Sequence, residues 1–224
     1  MFALATGRPR GDQARHQACQ PGGVQSTTPD DRLGRALAAI DDANAGDPAT
    51  LVVDGVEQPK EQAHARLMTE WVRRLDPTAS DAQILAARAH HLRRWSLPRD
   101  AFPEGRAGYL RWRTQLKRQH AEEVGEILQR QGYDEDTIQR VQQIVRKERL
   151  GRDPAVQVHE DALCLVFLQT QLVEVAAQLG EDKTIDVLRK TARKMSPAGL
   201  DAAAQLELDP EAQRLLARAL DPES

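Results

Sequence analysis

Histidines and carboxylates recur at inward-facing positions of the helices that this sequence predicts. Imidazole and carboxylate groups are ligand types that bind divalent transition metals. A metal site in an all-helical protein takes its ligands from separate helices, and these residues belong to separate predicted helices. We therefore predict a metal site whose ligands are drawn from six residues: His64, His90, His91, His120, Glu148 and Asp161.

The adjacent pair His90 and His91 follows a stretch without Gly or Pro that is rich in alanine. This composition predicts a helix that ends before Pro98. On helical spacing, His91 falls on the stripe that carries Ile84 and Trp95. Because an unpaired buried imidazole is energetically costly, this pair needs partners elsewhere in the chain.

Two other histidines lie on apolar stripes. His64 faces inward near the start of a helix predicted over residues 59–75, and His120 does so in a helix predicted over 109–130. For either residue alone, the simpler interpretation is a buried histidine satisfied by a hydrogen bond. Only the combination of several such residues indicates a site.

The two carboxylates come from the second half of the chain. Glu148 falls on the stripe of a helix that begins near residue 134. Asp161 lies one turn before Leu165 in a strongly apolar helix predicted over residues 156–179. The simpler interpretation of each is a carboxylate near a helix end, and Glu148 is the weaker of the two because solvated Glu residues are common there.

Length and composition predict an all-α fold. The chain has 224 residues, of which 40% are hydrophobic, 29% charged and only 4% aromatic. Abundant Ala, Leu, Arg, Glu and Gln favour helices, and residues 51–56 form the only strand-like patch. We expect a disordered tail over residues 1–29 and a single helical domain over 30–224.

Charge and apolar patterning narrow the functional class. The net charge of −3 argues against a protein that binds nucleic acid with its whole surface. From Arg88 to Arg152, however, fifteen Lys and Arg residues stand against nine Asp and Glu. No apolar run reaches transmembrane length, and the two cysteines lack metal-site spacing. We expect a cytoplasmic protein without a membrane partner; the oligomeric state stays open.

Cationic residues gather around the predicted ligands. Arg94 follows the histidine pair, while Arg113 and Lys117 precede His120 by about two turns and one turn. Such groups neutralise phosphoryl oxygens in enzymes that transfer phosphate, so we predict catalytic roles for these three cations. The alternative is a helix start that packs its aromatic rings and leaves the arginines solvated.

The order of these residues resembles the HD superfamily of metal-dependent phosphohydrolases over about residues 60–180. The segments Ala63–Trp71 and Glu160–Phe167 are similar to its first and last elements. The resemblance implies an HD-domain-like helical bundle that hydrolyses a nucleotide or another phosphorylated small molecule with metal-activated water.

One position departs from the HD pattern: His91 stands where the motif has Asp. A site richer in imidazole favours Mn, Fe, Co, Ni or Zn over Mg. One ion would be held by His64, His90, His91 and Asp161, and two ions if His120 and Glu148 join. The same change is also compatible with lost catalysis.

Three shorter segments carry a narrower resemblance. Residues 90–99, 106–113 and 189–197 are similar to an uncharacterised bacterial and fungal domain family, some members of which carry a glutamyl-tRNA synthetase label. No nucleotide-binding signature in this sequence supports that label.

Two rival interpretations stay open. The protein could be a non-catalytic helical module that binds a nucleotide or RNA through the basic segment 88–118, which predicts salt-sensitive binding independent of the histidines. Alternatively, the histidines could form a polar core network without metal.

Overall fold

A computed structural model of the protein describes residues 29–53 and 55–220, and within them the predicted all-α fold is confirmed. The predicted tail over residues 1–29 lies outside the described residues except for Pro29, where the first helix begins. The elements in chain order are α1 Pro29–Asn44, β1 Thr50–Val53, β2 Val56–Pro59, α2 Lys60–Leu75, α3 Asp81–Arg88, α4 Gly105–Arg130, α5 Glu135–Arg146, α6 Pro154–Thr170, α7 Leu172–Leu179, α8 Glu181–Ala192, α9 Pro197–Ala204 and α10 Pro210–Leu220. Two single-turn 3-10 helices, Arg94–Ser96 and Arg99–Ala101, lie between α3 and α4.

The hairpin leads directly into α2. Its strands pair in antiparallel register, with Val53 opposite Val56, and Gly55 takes the positive φ that a two-residue turn requires. Just before the hairpin, Asp47 accepts a hydrogen bond from the backbone N–H of Glu61 at 2.8 Å. This contact fixes the first turn of α2, which carries Glu61 and His64.

The predicted helix around the histidine pair is wrong beyond Arg88, where α3 ends. The chain then turns, and Arg93 adopts a left-handed conformation with φ of 48°. The side chain of Asn44, at the end of α1, accepts a hydrogen bond from the Arg93 N–H at 2.9 Å. His90 and His91 therefore lie on a turn held by a distant residue, which sequence periodicity does not reveal.

The predicted helix over residues 156–179 is likewise divided in two. The structure bends by 68° between α6 and α7, at Gln171. The Thr170 hydroxyl donates to the carbonyl of Val166, a contact that favours bending of helices. The break has a consequence for the site, because it allows the Gln171 side chain to reach His64.

Helix packing forms two apolar cores. One is built mainly by α1, α3, α4 and α5, and the other by α2, α6, α8 and α10. Because α3 contributes to both, the turn that follows it stands where elements of the two cores meet. Among the described residues, no single helix is long and apolar enough to cross a bilayer. Only α6 and α7 taken together, across their bend, have the required length and composition.

Candidate metal centre and cationic cavity

Five histidines form a contiguous group, here called the histidine cluster: His64, His90, His91, His120 and His159. The ring centroids of His64 and His91 are 4.6 Å apart, and those of His91 and His90 are 4.3 Å apart. His159 lies 4.8 Å from His90, and His120 lies 6.1 Å from His91. The rings come from α2, the turn after α3, α4 and α6.

Three of these imidazoles share one hydrogen-bonding pattern. The Nδ1 atom of His91 lies 2.9 Å from a Glu61 oxygen, that of His90 lies 2.8 Å from His159 Nε2, and that of His120 donates to the Leu92 carbonyl at 2.7 Å. Their Nε2 atoms form no hydrogen bond with any residue in the described part of the chain. Metal-binding histidines characteristically use one ring nitrogen for a carboxylate or carbonyl partner and the other for the ion. His91 and His120 have such a partner, whereas the partner of His90 is another imidazole.

Several ring nitrogens in the cluster are buried without a partner. These are Nδ1 of His64, Nε2 of His120 and Nδ1 of His159, counted over the described residues. Burial lowers the pKa of His64 and His159 to about 3 and that of His120 to about 4, and it holds the pKa values of His90 and His91 well below the ordinary value. The imidazoles are therefore neutral near pH 7, which is the form that ligates metals.

The most compact set of possible ligands is the candidate triad Glu61, His64 and His91. Each of these residues offers one ligand atom, and the three atoms lie within 4.8 Å of one another. Glu61 and His64 are buried and His91 is largely so. Two imidazoles and a carboxylate suit a divalent transition metal and leave coordination positions for water and substrate.

Two cavities adjoin the triad. The first, called the cationic cavity, has a volume of about 250 Å³ and is lined by His90, His91 and His120. Five cations also line it: Arg94, Arg113, Lys117, Lys147 and Lys194. The second cavity, of about 390 Å³, contains Glu61 and His64 in its wall. His91 and Arg94 line both, so the triad is reached from both sides.

A buried ion pair forms part of the wall of the cationic cavity. Lys147 Nζ lies 2.5 Å from Glu160, and both side chains are almost fully buried. Lys147 directly follows the last residue of α5 and adopts a left-handed conformation, with φ of 59°. Burial opposes the ionisation of Glu160, but the Lys147 ammonium holds its pKa below the ordinary value. Burial also lowers the pKa of Lys147, although Glu160 counteracts this.

The predicted site residues divide into two groups. The structure brings together the four predicted histidines and the three predicted cations Arg94, Arg113 and Lys117, which all line one or both cavities. It places the two predicted carboxylates elsewhere.

Asp161 is engaged with the protein itself. Its oxygens accept hydrogen bonds from the Ser196 N–H at 2.9 Å, the Ser196 hydroxyl at 2.5 Å and the Gln157 amide at 2.9 Å. Asp161 is two residues from His159, so the two side chains leave α6 in different directions. We name this set of Asp161, Gln157 and Ser196 the Asp161 node; it ties α6 to the start of α9.

Glu148 lies beyond the end of α5. It is exposed and pairs with Arg146 at 2.6 Å. The helix ends at Arg146, before the stripe would have reached Glu148. The predicted placement of this residue on an inward stripe is therefore wrong.

Four residues of the candidate site were absent from the sequence prediction: Glu61, Lys147, His159 and Glu160. Glu61 had a usable signal, because it precedes His64 by three residues and so shares its helix face. His159 and Glu160 had none, since α6 is buried on most of its circumference. Lys147 depends on a left-handed backbone that an ordinary lysine rarely adopts.

Comparison with known proteins identifies the family. Neither the curated proteins nor the solved structures contain a match to this chain. The model of the family DUF4202, described as a domain of unknown function, matches residues 34–216. This match covers most of the chain, both cavities and the whole histidine cluster, and the protein therefore belongs to the DUF4202 family.

Proposed function

We propose that the protein is a metal-dependent phosphohydrolase of HD-like type that acts on a nucleotide or another small phosphorylated molecule. The observation that carries the proposal is the candidate triad at the wall of a cavity that is rich in cations. The chain as a whole carries a net charge of −3, so this local concentration of positive charge is not a general property of its surface. An anionic substrate beside a metal fits both features.

The triad residues would hold one ion. A divalent metal lowers the pKa of a water molecule and polarises a phosphoryl oxygen. The imidazole-rich set favours Mn, Fe, Co, Ni or Zn over Mg. His90 and His120, whose Nε2 atoms have no partner among the described residues, supply donors for a second ion.

Arg94 is the cation best placed to assist at the triad. Its Nε lies 3.9 Å from Glu61, and its guanidinium packs on the Trp112 ring. The Trp112 indole N–H in turn donates to the Leu97 carbonyl at 2.9 Å. The arginine is thus held beside the triad, where it would neutralise charge on a phosphoryl group.

The resemblance to HD phosphohydrolases has partial support in the geometry. The helical fold and the grouping of His64, His91 and His120 agree with it. The carboxylate beside the histidines is Glu61, however, whereas the resemblance implied Asp161. We propose that Glu61 takes the role of the acidic ligand in this protein.

The rival proposal, a module that binds RNA through segment 88–118, has less support from the geometry. Arg88 is paired with Asp41 at 2.8 Å, and Arg99 donates to the carbonyls of Phe102 and Pro103. The cations that remain nearest the histidines line a cavity, which suits a small anion better than a nucleic-acid backbone. RNA binding that weakens with salt and survives His64→Ala would favour this rival.

Elemental analysis of protein purified without chelator tests the main proposal. We expect one or two equivalents of a transition metal, and turnover of at least one compound in a panel of phosphomonoesters and nucleotides. Glu61→Gln should lose metal and turnover, whereas the matched change Glu148→Gln, at an exposed glutamate, should keep both. A metal-free protein that also ignores added Mn and Fe would contradict the proposal and favour a polar core network.

A further inference from the structure

Besides Arg94, the cations of the cationic cavity come from three segments of the chain. Arg113 and Lys117 lie one turn apart on α4, so they share a helix face. Lys147 comes from the end of α5, and Lys194 follows α8. Like charges at this spacing on one helix are destabilising unless something offsets them. Their convergence on one cavity therefore indicates a use for the charge.

The protein itself neutralises little of this charge. Of the described residues that line the cavity, Glu160 is the only carboxylate. It lies 2.5 Å from Lys147 and 3.9 Å from Lys194. Arg113 and Lys117 form no ion pair with any residue that the structure describes, although the Arg113 guanidinium lies over the Tyr109 ring. The cavity thus keeps a positive excess that an anion would compensate.

The mutual repulsion of these groups is visible in their ionisation. Burial lowers the pKa of Lys117, and the neighbouring Arg113 and Lys194 lower it further, whereas Glu160 raises it. Burial also lowers the pKa of Lys147, and Lys117 and Arg113 add to this effect, whereas Glu160 opposes it. A bound anion would offset the repulsion among these cations.

These four cations are distinct from the cation at the triad. Arg94 adjoins Glu61 and lines both cavities, whereas Arg113, Lys117, Lys147 and Lys194 line only the cationic cavity. One phosphoryl group at the triad, beside Arg94, leaves a second anionic group to the other four cations, which the single carboxylate of Glu160 neutralises only in part. The cavity is also small, and the apolar side chains of Leu116, Leu163 and Phe167 contribute to its lining.

We propose that Arg113, Lys117, Lys147 and Lys194 form a second anion subsite, so that the substrate carries two anionic groups, a phosphate at the triad and a phosphate or carboxylate in the cationic cavity, joined by a compact linker. The substrate class rests on the proposed function, but the anion subsite does not, because it needs neither metal nor turnover.

Calorimetric titration of chelator-treated, full-length protein with inorganic phosphate tests the subsite. We expect wild type to bind phosphate. The double variant Lys117→Gln/Lys194→Gln should bind it at least about 10-fold more weakly, since charge-assisted contacts are lost. Lys183→Gln/Lys190→Gln removes the same charge from the exposed face of α8 and should bind as wild type does. Lys147 is left unchanged because its loss would leave the buried carboxylate of Glu160 without its ion-pair partner.

The same titration of His64→Ala separates the subsite from the triad. We expect this variant, without metal, to bind phosphate like wild type. The subsite is overturned if wild type does not bind phosphate at millimolar concentration, if Lys117→Gln/Lys194→Gln binds it equally well, or if His64→Ala loses it. Failure of the proposed function shows itself differently, as absent metal and absent turnover with phosphate binding intact.

A second titration tests the two-group substrate. In metal-loaded wild type, a non-hydrolysable propane bisphosphonate should bind at least about 10-fold more tightly than methylphosphonate, because one molecule occupies both sites. Lys117→Gln/Lys194→Gln should abolish this advantage. Equal affinity of wild type for the two compounds would contradict a substrate with two anionic groups.

Discussion

The histidine cluster and the Asp161 node are both groups of buried or partly buried polar side chains, and they differ in how completely the protein satisfies them. Among the described residues, the carboxylate of Asp161 accepts three short hydrogen bonds, from Gln157 and from the backbone and hydroxyl of Ser196. The cluster instead leaves Nδ1 of His64 and Nε2 of His120 buried without a partner among the described residues. Buried polar groups normally find partners, so the unsatisfied set is the one that calls for a ligand.

This difference corrects the view that residue type and burial identify a site. Asp161 has the right chemistry for a metal and is almost fully buried, yet its oxygens are already occupied. Glu61 has the same chemistry; one of its oxygens lies 2.9 Å from His91 Nδ1, and its neighbour His64 keeps Nδ1 buried without a partner among the described residues. Unused bonding capacity distinguishes the candidate site from a structural contact, and the following variants test that distinction.

The largest effect is expected at the Asp161 node. Asp161→Ala removes three hydrogen bonds to a carboxylate and should lower the free energy of unfolding by about 3 kcal/mol. Chemical denaturation measures this loss, and elemental analysis should show unchanged metal content in the protein that remains folded. If Asp161→Ala kept its stability and lost its metal, Asp161 would be a ligand after all.

A metal should stabilise the protein through the histidine cluster. Binding to the folded state alone raises the free energy of unfolding by about 2.7 kcal/mol at a metal concentration of 100 times Kd. We expect this rise in wild type and in Asp161→Asn, and its absence in His64→Ala. Thermal unfolding of chelator-treated protein with added Mn, Fe, Co, Ni or Zn measures it. Equal stabilisation of His64→Ala would place the metal outside the candidate triad.

Gly199 gives a steric test of the Asp161 node. A Cβ atom at this position would stand 2.7 Å from the Asp161 Cγ, so Gly199→Ala must displace the carboxylate. We expect a loss of about 2 kcal/mol in the free energy of unfolding. Gly34→Ala is the matched control, because a Cβ at Gly34 in α1 meets nothing described within 4 Å and should stabilise by about 0.5–1 kcal/mol. Equal effects of the two changes on the free energy of unfolding would show that the Asp161 carboxylate can be displaced without cost.

A satisfied carboxylate nearer the surface should matter least. Asp153 caps α6 and accepts two hydrogen bonds from Arg140, which holds the pKa of Asp153 at about 2, against an ordinary value of 3.8. A lowered folded-state pKa stabilises the protein above about pH 4, and this contribution disappears as the pH falls towards 2. Asp153→Asn should therefore cost about 1 kcal/mol at pH 7, since solvent screens the pair, and almost nothing near pH 2. Denaturation across this pH range measures the difference; a loss that did not depend on pH would mean that the charge of Asp153 is not responsible.

Much of the fold follows from local sequence. The periodicity of α2, α4 and α5 and the hairpin turn at Gly55 are determined by neighbours along the chain, because helical spacing and turn chemistry are local properties. The inward positions of His64 and His120 follow from the same spacing. These elements were predictable with little error.

Only the tertiary structure decided where α3 ends and which carboxylate joins the histidines. The turn at His90 and His91 depends on Asn44, which is 49 residues from Arg93 in sequence. The choice between Glu61 and Asp161 depends on which oxygens other parts of the chain already occupy. Helical periodicity identifies the residues that are buried, but contacts between distant segments determine which of them keep atoms free to bind a ligand.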